Sequence, residues 1–438
     1  MTFETRIRAA EADPQQLEQL YQDACSSDQA AAFRAALDAC YEAAPDNVLL
    51  SAWHYRLQPL AEERPRPGRK INWPAAIPLS LLTGLILWAI SDIDGFLVHG
   101  AVPQLFLWWS PIATFSALIF LALTARQRTR LAAALGLGVL AAAAYVVGLA
   151  PAFRADWASK QYLILALIHI PLLCWVALGI FTLGLRSSAA DRFAFLIKSL
   201  EVIIVAGLYL GAGVVFGVIT VGMFSALGIT LPELLLRLIA AGGFGLLPVL
   251  ALATVYDPTV APAAQNFEQG LSKFIATMMR LLLPLTLAVL AVYVLVIPFN
   301  FFAPFENRDV LIVYNVMLFA IIGLLMGATP IQGAELSPEL QKYLRLGILV
   351  VAGLTVLVSG YALAAVVYRT FQGELTPNRL TVIGWNSINI GILLQLLITQ
   401  LRRGREGWIE GLHAVFSQAT NAYLAWGLFL VIALPLLF

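Results

Sequence analysis

Hydrophobic residues dominate the chain from residue 75 onward, where apolar segments of about 20 residues alternate with short polar connections. An α-helix of that length crosses the hydrocarbon core of a bilayer, because it rises about 1.5 Å per residue. The pattern therefore predicts an all-α fold, a polytopic transmembrane helical bundle over residues 75–438. About eleven segments qualify: 75–91, 102–124, 131–150, 162–185, 201–227, 232–255, 281–302, 310–328, 346–368, 380–401 and 421–438.

Residues 1–63 follow a different pattern, with apolar positions three and four residues apart among polar ones. That spacing predicts three short amphipathic helices within residues 14–58, and so a small N-terminal helical cap. Residues 64–74, rich in arginine and proline, are predicted to form a basic linker to the first span. The positions that share a face in each helix are Leu17, Leu20, Tyr21 and Ala24; Phe33, Leu37, Cys40, Tyr41 and Ala44; and Leu49, Leu50, Trp53 and Leu57.

The fifth and sixth apolar segments stand out by their glycine content. The fifth carries five glycines between residues 207 and 222, and the sixth contains Gly242, Gly243, Gly245 and Pro248. Glycine allows two helices to approach closely in a membrane. A Gly/Pro cluster inside a span can also break the helix and expose backbone polar groups at membrane depth. We predict that this pair of segments is the hub of the bundle and that Gly242–Pro248 is a local break that forms a site.

The composition indicates a protein whose main partner is the lipid bilayer. The 438 residues are 60% hydrophobic and 12% charged, whereas about 25% are charged in an ordinary soluble domain. The formal net charge of +1 argues against a nucleic-acid partner, which requires a strongly basic face. The pattern and the composition thus agree on a multi-pass membrane protein.

Cofactor and metal motifs are missing from the sequence. The three cysteines, Cys25, Cys40 and Cys174, form neither a disulfide framework nor a zinc pattern, and we expect them to be small packing residues. There is no phosphate loop, no dinucleotide fingerprint and no metal quartet. We therefore predict no cofactor and no metal, and work driven by ATP within this chain is not expected.

Arginine and lysine are distributed unequally between alternate connections, which sets the predicted orientation. One set, which includes the basic linker, holds 17 of them, and the other holds five. The first 70 residues also lack the apolar segment of a signal peptide. The positive-inside rule then predicts a cytoplasmic N-terminus and, with eleven spans, an extracytoplasmic C-terminus. The five in the predicted outer connections are Arg154, Lys160, Arg308, Arg369 and Arg379.

One stretch of the cap resembles a tetratricopeptide unit. Ala32-Phe33-Arg34-Ala35-Ala36-Leu37 is followed by Pro45-Asp46-Asn47 and by Trp53. The resemblance covers about one repeat, whereas about three are needed to bury a continuous core. It implies that residues 14–58 dock a cytoplasmic protein partner. The alternative is a helical cap that packs on itself or on the membrane domain.

Two later stretches resemble a bacterial integral-membrane family, domain of unknown function family 4153. Phe274 to Arg280 running into Leu281-Leu-Leu-Pro284-Leu is similar to that family's entry into a span, and Tyr368 to Arg379 is similar to its connection "R-I-x-x-Y-G-L-T-x-x-R". This chain has Gly373-Glu374 where Tyr-Gly is usual. The resemblance covers roughly residues 200–400. It implies a multi-pass protein of the bacterial inner membrane and supplies no activity.

Polar residues near the predicted outer ends are candidates for an outer-face site. Asp92 and Asp94, beside His99 in the first outer loop, could act as a base or bind a divalent cation, as in glycosyltransferases that use lipid-linked donors. Glu306 and Arg379 belong to other outer connections. The alternative for the acidic pair is a solvated loop that caps a helix end.

A charged pair opens the sixth segment. Glu233 precedes Arg237 by four residues, the favourable order for a helical ion pair. Arg237 lies about 8 Å inside the apolar segment, from where its side chain can reach the interface. We predict an interfacial anchor; the alternative is a charge that faces an outward cavity and meets an anionic substrate or lipid.

Four polar residues occur deep inside predicted spans. His169, which precedes Pro171 by two residues, needs a partner at that depth, either a functional one or a backbone carbonyl freed by Pro171. Asn386 and Asn389 in the tenth span could line a cavity or join helices, because an unpaired amide in lipid is costly. The same holds for Asn315 in the eighth span.

These observations leave two main functions open. The first is a permease-like transporter of a small solute or lipid component, supported by the predicted break and the buried polar residues. The second is a non-catalytic scaffold or sensor that couples a cytoplasmic partner to the membrane, supported by the tetratricopeptide-like unit. An enzyme, a lipid-linked glycosyltransferase that uses the outer-loop acids, comes third.

Overall fold

The computed structural model describes residues 3–26, 29–57, 71–92, 97–98, 100–149, 156–184, 186–267, 270–306, 308–332, 336–404 and 406–438. The chain divides into two compact units, Met1–Lys70 and Ile71–Phe438. Residues 64–70 of the predicted basic linker (64–74) lie outside the described residues, as do Asp94 and His99.

The described part of the first unit contains four helices, one more than the sequence pattern predicted. They are α1 (Phe3–Ala9), α2 (Pro14–Ser26), α3 (Ala30–Ala43) and α4 (Val48–Leu57). Leu17, Phe33 and Leu37 are fully buried, as their helical spacing predicted. Ile7 of the additional helix α1 completes this core. Seven residues are too short for a clear periodicity, so α1 gave little signal in the sequence.

The second unit is almost entirely helical. Strands β1 (Leu97–Val98) and β2 (Val102–Pro103) form a single short antiparallel pair in its described part. The helices are α5 (Trp73–Ala89), α6 (Gln104–Ala125), α7 (Thr129–Leu149), α8 (Asp156–Leu183), α9 (Ala189–Ala226), α10 (Glu233–Arg237), α11 (Gly243–Val255), α12 (Gly270–Val296), α13 (Ala303–Glu306), α14 (Arg308–Ala328), α15 (Pro338–Gln372), α16 (Pro377–Arg403), α17 (Trp408–Leu428) and α18 (Leu434–Leu437).

Ten helical segments in the described residues are long and apolar enough to cross a membrane. The shorter helix α5, with 17 residues, is apolar as well. Together they account for all eleven segments that hydrophobicity predicted. The predicted fold class, an all-α polytopic bundle, is confirmed. The last of these segments begins at Trp408, well before the predicted start at 421, because Trp408, Leu412 and Phe416 are buried in the helical core.

The predicted break in the sixth span is wrong. Helix α10 continues through a π-helical turn, Leu238–Gly242, directly into α11. Residues on both sides of the turn keep right-handed helical dihedrals, so the backbone is not unwound at Gly242–Pro248. Pro248 lies inside α11. A π turn adds one residue without ending the helix, and this accommodates the irregularity that the sequence pattern predicted as a break.

The glycine-rich fifth span, α9, is not the hub of the bundle. In its most apolar window only 11% of the residues are buried, which is among the lowest values of the ten candidate spans in the described part. A Cβ atom added at Gly207, Gly211 or Gly213 would meet nothing within 4 Å. These three glycines therefore face open space, whereas a Cβ atom at the buried Gly217 would lie 3.3 Å from Ile239 Cγ2. Of the five glycines, Gly217 is the one at which the predicted close contact is found.

The cysteines are packing residues where the structure describes them. Cys40 and Cys174 are free and buried. Burial raises the pKa of the Cys40 thiol above its ordinary value. A protonated, enclosed thiol is a poor nucleophile and a poor metal ligand.

Candidate functional site

Three polar residues in the middle of α16 each bond a different neighbouring helix. Trp385 Nε1 donates to His169 Nε2 of α8 at 2.9 Å, and Asn386 Nδ2 donates to Asn315 Oδ1 of α14 at 2.7 Å. Asn389 Oδ1 accepts from the hydroxyl of Tyr423 of α17 at 2.6 Å. Because these bonds leave α16 in three directions, α16 takes the central position that the sequence pattern assigned to spans five and six.

The contacts of His169 define its tautomer. Nδ1 lies 2.7 Å from the carbonyl oxygen of Leu165. The indole N–H of Trp385 can only donate, so His169 Nε2 must accept and Nδ1 must carry the proton. The ring is therefore neutral, buried and bonded at both nitrogens. It joins α8 to α16, and its carbonyl partner is that of Leu165 rather than one freed by Pro171.

Replacing Trp385 by phenylalanine is expected to lower the free energy of unfolding by about 1–2 kcal/mol. The phenyl ring keeps the contacts with Phe319 and Tyr423 but leaves His169 Nε2 as a buried acceptor without a donor. Unfolding of the purified protein by denaturing detergent measures the change. Trp157→Phe, at a half-exposed position, is the control and should stay within about 0.5 kcal/mol. Equal stability of the two variants would contradict the role given to this bond.

A cavity of about 470 Å³, lined by both polar and apolar side chains, lies between α8, α14, α15 and α16. We call it the two-arginine pocket, because Arg369 and Arg379 both contribute to its wall. The pocket lies at the end of the bundle that the charge bias of the connections predicts to be outside. Its lining residues are Gln161, Leu311, Ile312, Asn315, Val366, Arg369, Gly373, Glu374, Thr376, Asn378, Arg379 and Val382.

The turn between α15 and α16 positions Arg379. Thr376 caps α16, and its Oγ1 accepts from the backbone N–H of Arg379. The Arg379 guanidinium in turn donates to the carbonyl oxygen of Glu374 at 2.7 Å. A Cβ atom at Gly373 would lie 2.8 Å from Arg379 Nη1. Gly373 therefore leaves the room that the guanidinium occupies.

Two residues that line the pocket each have a buried side-chain atom without a protein partner. Arg369 Nη1 is a donor and Gln161 Oε1 is an acceptor, and neither makes a hydrogen bond within the described structure. An unpaired buried polar atom costs about 1–3 kcal/mol, and a ligand that both accepts and donates hydrogen bonds would remove that cost. Among the described side chains, no carboxylate forms an ion pair with Arg369 or Arg379. The pocket wall thus carries two guanidinium groups and one carboxylate, that of Glu374.

An aromatic cavity of about 670 Å³ adjoins the pocket and shares Arg369, Gly373 and Arg379 with it. The ring of Phe305 packs edge-on against Tyr368, with 5.5 Å between ring centroids. The other residues that line the aromatic cavity are Phe301, Phe302, Glu306 and Gln372. The two cavities therefore both border the residues Arg369 and Arg379.

The predicted residues are divided between this pocket and other places. Arg379 lines the pocket and Glu306 lines the aromatic cavity, as outer-face residues. Asn386 reaches the pocket only through Asn315, and His169 and Asn389 are not among the residues that line it. These three join helices, which is the structural alternative that the sequence left open.

The glycines of the sixth span line no polar cavity in the described structure. Gly242 and Gly243 border an apolar groove beside α9, and Pro248 borders a second apolar cavity beside Pro171 and Trp175. Neither wall contains a charged side chain. The predicted exposed backbone site at Gly242–Pro248 is therefore wrong.

Arg237 is paired with the end of α5. Its Nε donates to Ser91 Oγ at 3.0 Å, and Nη1 lies 3.9 Å from Asp92 Oδ2. The predicted ion pair with Glu233 is not formed, and Glu233 is exposed. Asp92 follows α5 and Glu306 belongs to α13, whereas Asp94 lies outside the described residues. The site that the enzyme hypothesis places at Asp92 and Asp94 therefore stays a prediction.

Two features of the structure were not predicted from the sequence. Arg369 had been counted only toward the topology, although it shares a short connection with Arg379 and no carboxylate of that connection pairs with it. Lys198 is one of the 17 basic residues that were assigned to the predicted inner connections. In the structure it lies inside α9 and forms a buried ion pair with Glu201 at 2.8 Å. The opposite charges three residues apart were the available signal.

No three His, Cys, Asp or Glu side chains of the described residues form a group that could hold a metal ion. Searches against protein-family models, curated proteins and solved structures found no match to this chain. The geometry of the pocket is therefore the basis for assigning a function.

Proposed function

We propose that this multi-pass membrane protein is a permease that takes up an anionic small molecule or lipid head group at the two-arginine pocket, from the outer side of a bacterial inner membrane. The observation that carries the proposal is the unsatisfied pair of buried atoms, Arg369 Nη1 and Gln161 Oε1, in two residues that line one cavity. The sixth span does not support a permease, because its helix is continuous. The support for a permease comes from the two-arginine pocket instead.

The side chains that line the two-arginine pocket favour an anion that also carries a hydrogen-bond donor. Guanidinium groups bind phosphate and carboxylate oxygens through directed, charge-assisted hydrogen bonds. Gln161 Oε1 accepts, so the same ligand must present a hydroxyl or an amine. Asn315 lines the pocket and bonds Asn386 in the bundle interior, which supports a polar route that extends inward from the site.

Glycerol 3-phosphate is a suitable probe because it combines a phosphate with two hydroxyl groups. We expect the purified protein in nanodiscs to bind it, as measured by calorimetry. Arg369→Gln should weaken binding about 10- to 100-fold, since one charged hydrogen bond contributes about 1.5–3 kcal/mol. Gly373→Val should weaken binding without removing a charge, because the new side chain displaces the Arg379 guanidinium.

Arg8→Gln is the matched control, since Arg8 pairs with Glu4 in the first unit. Equal affinity in Arg369→Gln and Arg8→Gln would refute the pocket as an anion site. Uptake into proteoliposomes then separates the roles. Flux that requires Arg369 supports a permease, whereas binding without flux favours a sensor.

The sensor or scaffold is the second candidate. The observation that favours it is the separate core of the first unit, in which Phe33 packs against Tyr21 and Trp53. A unit with its own core is suited to dock a cytoplasmic protein partner through residues 14–58. In that role the pocket would supply the ligand signal.

A further inference from the structure

The two-arginine pocket continues into apolar surface along two helices. On α8, Gln161 lines the pocket, and Ile164 and Ile168 follow at helical spacing with 57% and 66% of their surface exposed. A residue and those three and seven positions later lie on one face of a helix. The polar wall therefore runs directly into an exposed apolar stripe.

Helix α14 repeats this arrangement on the opposite wall. Ile312 and Asn315 line the pocket, and Val316 and Phe319 follow on the same side, both exposed. Helices α8 and α14 both pack against α16. Between them, Trp385 of α16 contacts the Phe319 ring with 5.4 Å between centroids and bonds His169 of α8. We call this surface the α8–α14 cleft.

The size of the pocket limits what it can hold. About 470 Å³ is near the lower end of the range for small-molecule pockets. It suits a head group of phosphate and glycerol dimensions, but it leaves no room for a hydrocarbon chain. A chain attached to that head group would have to leave the pocket, and the cleft continues from it along two helices with exposed apolar side chains.

We propose that the ligand is a glycerophospholipid whose head group occupies the two-arginine pocket and whose chain lies in the α8–α14 cleft. The proposal rests on the proposed anion site and specifies its ligand. The phosphate accepts from Arg369 and Arg379, and a head-group hydroxyl donates to Gln161 Oε1. A phosphatidylglycerol-type lipid has both groups. A water-soluble phosphate ester shares the head-group chemistry and lacks the chain.

The test measures phosphatidylglycerol binding to the full-length protein by native mass spectrometry, with glycerol 3-phosphate binding measured in parallel. We expect Arg369→Gln to lower both affinities at least about 10-fold. Val316→Asn places an amide on the cleft wall and should lower only the lipid affinity, about 3- to 10-fold. Val313→Asn is the matched control, because Val313 is equally exposed, 68% against 65%, and does not line the pocket.

Each outcome decides between the two proposals. If Arg369→Gln weakens glycerol 3-phosphate but Val316→Asn and Val313→Asn bind phosphatidylglycerol alike, the lipid proposal is overturned and the anion site stands. If Arg369→Gln changes neither affinity, both proposals fail. Unfolding midpoints of all variants are measured first, and Arg369→Lys, which keeps the charge, replaces Arg369→Gln if that variant is misfolded.

Discussion

Lys198→Met is expected to lower the free energy of unfolding by about 3–5 kcal/mol, because it leaves the Glu201 carboxylate buried without a countercharge. Lys198 Nζ donates to Glu201 Oε2 at 2.8 Å, and the two side chains are 5% and 4% exposed. The ammonium also bonds the carbonyl oxygen of Asn266 and Ser272 Oγ. One cation thus ties α9 to the segment that precedes and begins α12.

The double variant Lys198→Met/Glu201→Leu is the control that separates pairing from packing. Removing both charges from a buried pair is often neutral or stabilising, whereas removing one partner is strongly destabilising. We therefore expect the double variant to regain most of the stability lost in Lys198→Met. Unfolding by denaturing detergent measures all the variants in one double-mutant cycle. A double variant as unstable as the single one would show that the side-chain volume of Lys198, and not its charge, matters.

The Lys198–Glu201 pair also shows how much of the structure could be predicted from the sequence. Hydrophobic segments alone located every span, because the bilayer sets the length of a helix independently of its neighbours. The positive-inside rule, however, counts charges and contains no information on their surroundings. It treated Lys198 and Arg369 alike, although one is neutralised by Glu201 and the other is not paired with any described carboxylate.

The deep polar residues were partly predictable. Their depth required partners, and the structure provides them for His169 and Asn386. The identity of each partner was not predictable, since Trp385 is 216 residues away from His169 along the chain. Asn389 retains a buried Nδ2 without a partner in the described structure. Whether a polar residue joins helices or lines a cavity thus depends on contacts between distant segments, which a single sequence does not contain.

The glycines of the sixth span also depend on contacts with a distant segment that the sequence alone does not show. A Cβ atom at Gly245 would lie 2.7 Å from the Cα atom of Gly84 on α5, and one at Gly84 would lie 2.7 Å from the carbonyl oxygen of Gly242. A Cβ atom at Gly243 would meet nothing within 4 Å. Helix α5 therefore crosses the sixth span in backbone contact at Gly242 and Gly245, and Gly243 points into open space.

Gly245→Leu is expected to lower the free energy of unfolding by about 3 kcal/mol, at the upper end of overpacking effects. The new side chain meets backbone atoms, which cannot move aside without displacing α5. Gly243→Leu is the matched control and should leave stability within about 0.5 kcal/mol, with a small gain because leucine favours helix over glycine. Thermal unfolding of both purified variants measures the difference.

The variants Gly245→Leu and Gly243→Leu also test the hypothesis that the sixth span is broken at residues 242–248. If residues 242–248 were unwound around a substrate, leucine at either glycine would obstruct the site, and both variants would lose ligand binding. In a continuous helix, Gly243→Leu should retain full glycerol 3-phosphate binding at the two-arginine pocket. Loss of binding in Gly243→Leu with normal stability would therefore return the functional site to the sixth span. Retention supports the conclusion that these glycines set the helix spacing while Arg369 and Arg379 form the site.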